Sequence, residues 1–80
     1  MLPNSKMKEG RFLKWARARK KVAWIKDQLG KGRMIQVTTY LRATRYTEKH
    51  AEMFKAGRDG VYVQRGKNWD FISGCDIRAF

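Results

Sequence analysis

The chain has 80 residues, and its 19 Lys and Arg against 7 Asp and Glu give a net charge of +12. At this length the ceiling is one small domain, residues 1–80, burying roughly 60–65% of its unfolded surface, which excludes a two-domain enzyme. Three Trp, three Tyr and four Phe exclude plain disorder, and no apolar run reaches the roughly 18–20 residues of a membrane span, so no transmembrane segment is expected.

The opening MLPNSKMKEG has no apolar core, so a secretory signal is not expected, and residues 1–8 read as a flexible lead. Residues 11–29, RFLKWARARKKVAWIKDQL, contain no Gly or Pro and many strong helix formers. Met7, Phe12, Trp15, Ala16, Ala18, Val22, Ala23, Ile25 and Leu29 fall on about half of a helical wheel, leaving Leu13 and Trp24 outside the stripe. This predicts a helix over 11–29 stopped by Gly30. A rival parse makes Lys21–Gln28 a strand, because VAWI also suits one.

Residues 34–46, MIQVTTYLRATRY, alternate with period two and predict one long strand. Its apolar face is Ile35, Val37, Thr39, Leu41 and Ala43. Its polar face is Gln36, Thr38, Tyr40, Arg42, Thr44 and Tyr46. Thr47 is placed to cap a short helix over Glu48–Ala56. Val61–Arg65 and Trp69–Ser73 read as a hairpin through Gly66-Lys67-Asn68, and Asp76–Phe80 as a short last strand. The expected fold class is α+β: a long basic N-terminal helix packed on a small antiparallel sheet of three to four strands, with one short helix between strands 1 and 2. That order differs from ribbon-helix-helix, double-stranded-RNA-binding, RNA-recognition and helix-turn-helix patterns.

The charge is uneven. Residues 1–33 carry +9 of the +12, and residues 34–80 only +3. Like charges at i,i+3 and i,i+4 cost a few tenths of a kcal/mol per pair, so a structural helix would interleave Glu. Here Glu9 and Asp27 alone relieve the run. A phosphate backbone neutralises such a face and releases counterions. The expected function is therefore non-enzymatic nucleic-acid binding, with DNA preferred over RNA because the charge lies on a rigid helix. Arg11, Lys14, Arg17, Arg19, Lys20 and Lys21 supply phosphate contacts. Arg42, Arg45, Arg65 and Lys67 supplement them from sheet and hairpin, and Tyr40 and Tyr62 are the candidates for stacking on bases. With strands 34–46 and 61–65 as neighbours, Tyr40, Arg42, Tyr46 and Tyr62 would share one surface with Gln36, Thr38 and Gln64.

A second reading makes Leu13, Trp15 and Trp24 a docking surface for an acidic partner protein. An uncovered sheet edge leaves room for a homodimer. Lone Cys75 and lone His50 allow neither an internal disulfide nor a structural zinc site, so no metal, cofactor or catalytic residue is assigned, and a reducing, cytoplasmic setting is expected.

Overall fold

The computed structural model describes the backbone of residues 9–80 and the side chains of residues 13–80. The expectation that residues 1–8 are flexible lies outside this range. The fold is α+β. One helix, α1 (Glu9–Gly30), packs on two three-stranded antiparallel sheets. The first sheet has the order β2-β1-β6, from β1 (Ile35–Thr38), β2 (Ala43–Tyr46) and β6 (Asp76–Ala79). The second has the order β3-β4-β5, from β3 (Phe54–Ala56), β4 (Val61–Arg65) and β5 (Asn68–Phe71). A 3-10 helix, Glu48–Met53, lies between β2 and β3.

The VAWI segment is helical throughout, so the rival strand parse does not hold. Gly30 lies inside the helix, and Gly32 is the stop instead. Gly32 takes φ 82°, its N–H donates to Leu29 O at 3.0 Å, and Arg33 N–H donates to Gln28 O at 3.0 Å. These paired bonds are the Schellman closure, which needs a left-handed residue just past the last turn.

The predicted strand 34–46 is a hairpin. The chain reverses at Thr39–Arg42, where Thr39 N–H donates to Arg42 O at 2.9 Å. The Thr39 hydroxyl accepts from Leu41 N at 3.2 Å and from Arg42 N at 3.3 Å. A hydroxyl thus makes the turn in a stretch without Gly, Pro, Asn or Asp. Ile35 comes opposite Tyr46, and Thr38 opposite Ala43. The reversal swaps the faces of the second half: Tyr46 turns into the core beside Ile35, and Ala43 turns out. The predicted short helix is cut in the same way, because its last three residues pair with β4 as β3, Phe54 opposite Val63. The chain closes when β6 returns to β1, Ile35 opposite Ala79 and Val37 opposite Ile77.

The core is a narrow helical seam, Ala18, Val22, Ile25 and Leu29, set against Ile35, Val37 and Tyr46 of one sheet and Phe54, Val61 and Val63 of the other, with Ile72 between. Its spacing is i, i+4, i+7, i+11, the period of one helix face. The seam is narrower than the predicted stripe. Ala23 is exposed, and Trp15 and Ala16 are only half-buried. Residues 13–17 contribute no buried side chain to the core.

Gly60, at the start of β4, is fixed by its surroundings. Its φ is +153°, and a Cβ there would strike the Ser73 side chain and come within 2.8 Å of the Phe71 ring. The Ser73 hydroxyl accepts the Val61 N–H at 2.6 Å, tying the β5–β6 connection to β4. Gly60→Ala is expected to cost about 3 kcal/mol in urea unfolding, from backbone strain and the lost bond. A loss below about 0.5 kcal/mol, the ordinary surface value, would show that the site relaxes freely.

Candidate nucleic-acid interface

The helix distributes its cations around its circumference. Lys14, Arg17 and Lys21, at i, i+3 and i+7, line one wall of a cleft of about 760 Å³. The opposite wall includes Phe71, Ser73 and two carboxylates, Asp59 and Asp76. Of those carboxylates, Asp76 is matched to a cation and Asp59 keeps its charge. Asp59 accepts the Tyr62 hydroxyl at 2.8 Å, and Asp76 pairs with Arg78 at 2.9 Å. Lys20 is exposed. Arg19 turns to the other flank, its guanidinium 4.9 Å from the Trp15 ring centre. Arg11 belongs to the helix, but its side chain lies outside the described ones.

Three further acids are paired with cations. Asp27 pairs with Lys31 at 3.0 Å, Glu52 meets Lys26 at 3.9 Å, and Asp70 pairs with Arg65 at 3.1 Å. Among the described residues, none of Lys14, Arg17, Arg19, Lys20 and Lys21 has a carboxylate partner. Among the described residues, these five cations of the helix therefore carry charge that no carboxylate offsets directly.

The sheet candidates are not brought together. β1 and β4 lie in different sheets, so Tyr40 and Tyr62 share no surface. Tyr40 is 96% exposed at the β1–β2 turn, beside Leu41 at 76%. Arg42 is exposed at the end of the same turn. Arg45 lies on the outer face of its sheet and donates through Nε to Gln36 Oε1 at 3.1 Å. Lys67 is exposed in the β4–β5 loop, while Arg65 is held by Asp70. Tyr46 is buried edge-on against Phe54, with ring centres 5.0 Å apart. Burial, helped by the charge of Asp70, raises its hydroxyl above the usual phenol value. Tyr62 faces outward, and the hydrogen bond to Asp59 raises its hydroxyl too, keeping the donor on the phenol.

Leu13 and Trp24 are both part-exposed, at 44% and 36%. Three helical turns, about 16 Å, separate them, and Lys21 lies over the Trp24 ring at 4.3 Å. Trp15 sits with Arg19 instead. The three residues of the docking reading therefore do not form one apolar patch. His50 serves as a local cap, its Nδ1 accepting the Thr47 N–H at 2.9 Å, and Cys75 packs half-buried against the core.

A group that sequence reasoning did not assemble is Lys55, Trp69 and Phe71. The β4–β5 loop has two residues, Gly66 and Lys67, with Arg65 opposite Asn68. This register places Tyr62 opposite Phe71 and Gln64 opposite Trp69 on the outer face of the second sheet, with Lys55 opposite Tyr62 from β3. A two-residue loop, rather than the three-residue one expected, was the sequence signal for it.

These observations define a small α+β domain with an uncompensated basic helix beside an open cleft. No protein-family model matches the chain, and no curated protein or solved structure matches it. Among the described residues, no helix is long and apolar enough to cross a membrane.

Proposed function

We propose that the protein is a non-enzymatic nucleic-acid-binding domain that grips the phosphate backbone with the first half of α1. One observation carries this reading: among the described residues, Lys14, Arg17, Lys20 and Lys21 have no carboxylate partner, while Asp27, Glu52, Asp70 and Asp76 are each matched to another cation. A face left unneutralised by its own chain gains most from a polyanion, because each phosphate contact releases counterions. Residues 13–17 belong to the part of the helix that contributes nothing to the core, so a strand can reach it without disturbing the fold. Lys21 and Arg17 continue that surface into the cleft. Lys67, Arg42 and Arg45 supply outlying charge. Duplex DNA is the first ligand to test and RNA the second.

The measurement is fluorescence anisotropy of a labelled duplex over a salt series. With about six phosphate contacts, log affinity falls against log salt with a slope of about −5. Affinity independent of salt would remove this reading.

A further inference from the structure

We infer that the outer face of the β3-β4-β5 sheet is a stacking platform for unpaired bases, so that the ligand includes a single-stranded segment; this deepens the nucleic-acid reading above and rests on it. Three aromatic side chains stand on this face in adjacent register, Tyr62 opposite Phe71 and Trp69 two residues before Phe71. Phe71 is 49% and Trp69 37% exposed. Neither ring is needed by the core, which closes on the opposite side of the sheet through Phe54, Val61 and Val63.

The rings are held rather than loose. Tyr62 meets Phe71 edge-on, with centres 5.3 Å apart and planes at 71°, and its hydroxyl is tied to Asp59 at 2.8 Å. Residues two apart on a strand are separated by about 7 Å. That separation lets Phe71 and Trp69 each face a different base. Gln64 stands opposite Trp69 on the same face, its amide N–H donating to Gly66 O at 3.3 Å.

Charge identifies the occupant. The Lys55 ammonium lies over the Trp69 ring, 4.1 Å from its centre, and Lys67 stands in the loop at the end of the same hairpin. A second copy of this chain would bring its own cations against these, within a molecule of net charge +12. A nucleotide brings a π-face for the ring and a phosphate to draw the ammonium off it. The platform is also continuous with the basic cleft, because Phe71 lines that cleft together with Lys14, Arg17 and Lys21. A strand held by its phosphates in the cleft reaches Phe71 first and Trp69 next.

The test is anisotropy with labelled oligothymidylate, oligouridylate and a duplex of the same length, using the full chain and its Phe71→Leu, Trp69→Ala and Trp69→Phe variants. Leu keeps apolar bulk without a π-face, and both positions are part-exposed, so thermal melts should report folded protein. Phe71→Leu and Trp69→Ala are each expected to weaken single-strand binding about tenfold, the worth of one base–aromatic stack. Trp69 lies outside the cleft lining, so Trp69→Ala leaves duplex affinity unchanged, and Trp69→Phe restores most of the single-strand loss. The two oligonucleotides separate DNA from RNA as the source of the bases. Unchanged single-strand affinity in both variants, or equal losses on strand and duplex for Trp69→Ala, would overturn the platform while leaving backbone binding by the helix intact. A dimer that Trp69→Ala converts to monomer would overturn it in favour of a self-association face. Failure of the wild-type chain to bind any of the three ligands would instead sink the broader reading.

Discussion

Replacing Lys14, Arg17 and Lys21 together by alanine should lower duplex affinity by two to three orders of magnitude at about 0.1 M salt. The estimate follows from roughly 0.9 counterion released per phosphate contact, and the salt slope should shrink by about 2.7. Stability is expected to move the other way. Lys14 and Arg17 are i,i+3 neighbours and Arg17 and Lys21 are i,i+4 neighbours, so their removal relieves repulsion of a few tenths of a kcal/mol per pair. Alanine is also the best helix former, and none of the three makes an ion pair among the described residues. A binding loss accompanied by a steady or raised melting temperature therefore belongs to the interface and not to unfolding. Lys31→Ala is the matched control. It removes one positive charge, but from a cation already neutralised by Asp27, and should leave the slope nearly unchanged. Should Lys31→Ala weaken binding as much as Arg17→Ala alone, only net charge would matter, and the helix face would carry no particular role.

Phe54→Ala should have the largest effect on the fold itself. Phe54 is 2% exposed and stands where the 3-10 helix becomes β3. It pairs with Val63 within its own sheet and packs edge-on against Tyr46 of the other. It therefore helps to join two sheets that share no strand ladder. Truncation of a buried Phe costs about 3–5 kcal/mol. An 80-residue domain has about 4–12 kcal/mol in total, so the variant should be near or past the edge of folding. Near-ultraviolet circular dichroism and a thermal melt would read this as a Tm lowered by about 15 °C or more. A drop of only a few degrees would mean that the two sheets are held together mainly by the helix seam. Phe54→Leu, which keeps most of the volume, should cost much less.

The different fates of two aromatic residues show what a linear pattern can carry. Strict alternation over 34–46 puts Tyr46 on an outward polar face with Gln36 and Thr38. The Thr39 hydroxyl closes a turn inside that run, and one reversal sends Tyr46 into the core. Alternation is a local rule, and it holds only until the chain changes direction. Trp69 and Phe71 went unassembled for a related reason. Their shared face depends on the length of the Gly66-Lys67 loop, and one residue more would turn both rings to the other side. Lys55 was hidden by reading 48–56 as helix throughout, whereas pairing with β4 draws Phe54–Ala56 out as a strand.

The sequence by itself determined the α+β class, the long N-terminal helix and the concentration of +9 of the net charge in residues 1–33. Helix propensity, hydrophobic period and charge are properties of contiguous residues, so no folding need be solved to read them. Only the tertiary structure decided that the strands form two sheets rather than one, and that Lys14, Arg17 and Lys21 share a cleft while Arg19 turns away. It also decided that Phe71 connects that cleft to an aromatic sheet face. These depend on pairings between distant segments, β6 with β1 and α1 against the β5–β6 connection. Such pairings are set by which surfaces can be buried together, and no local periodicity encodes that.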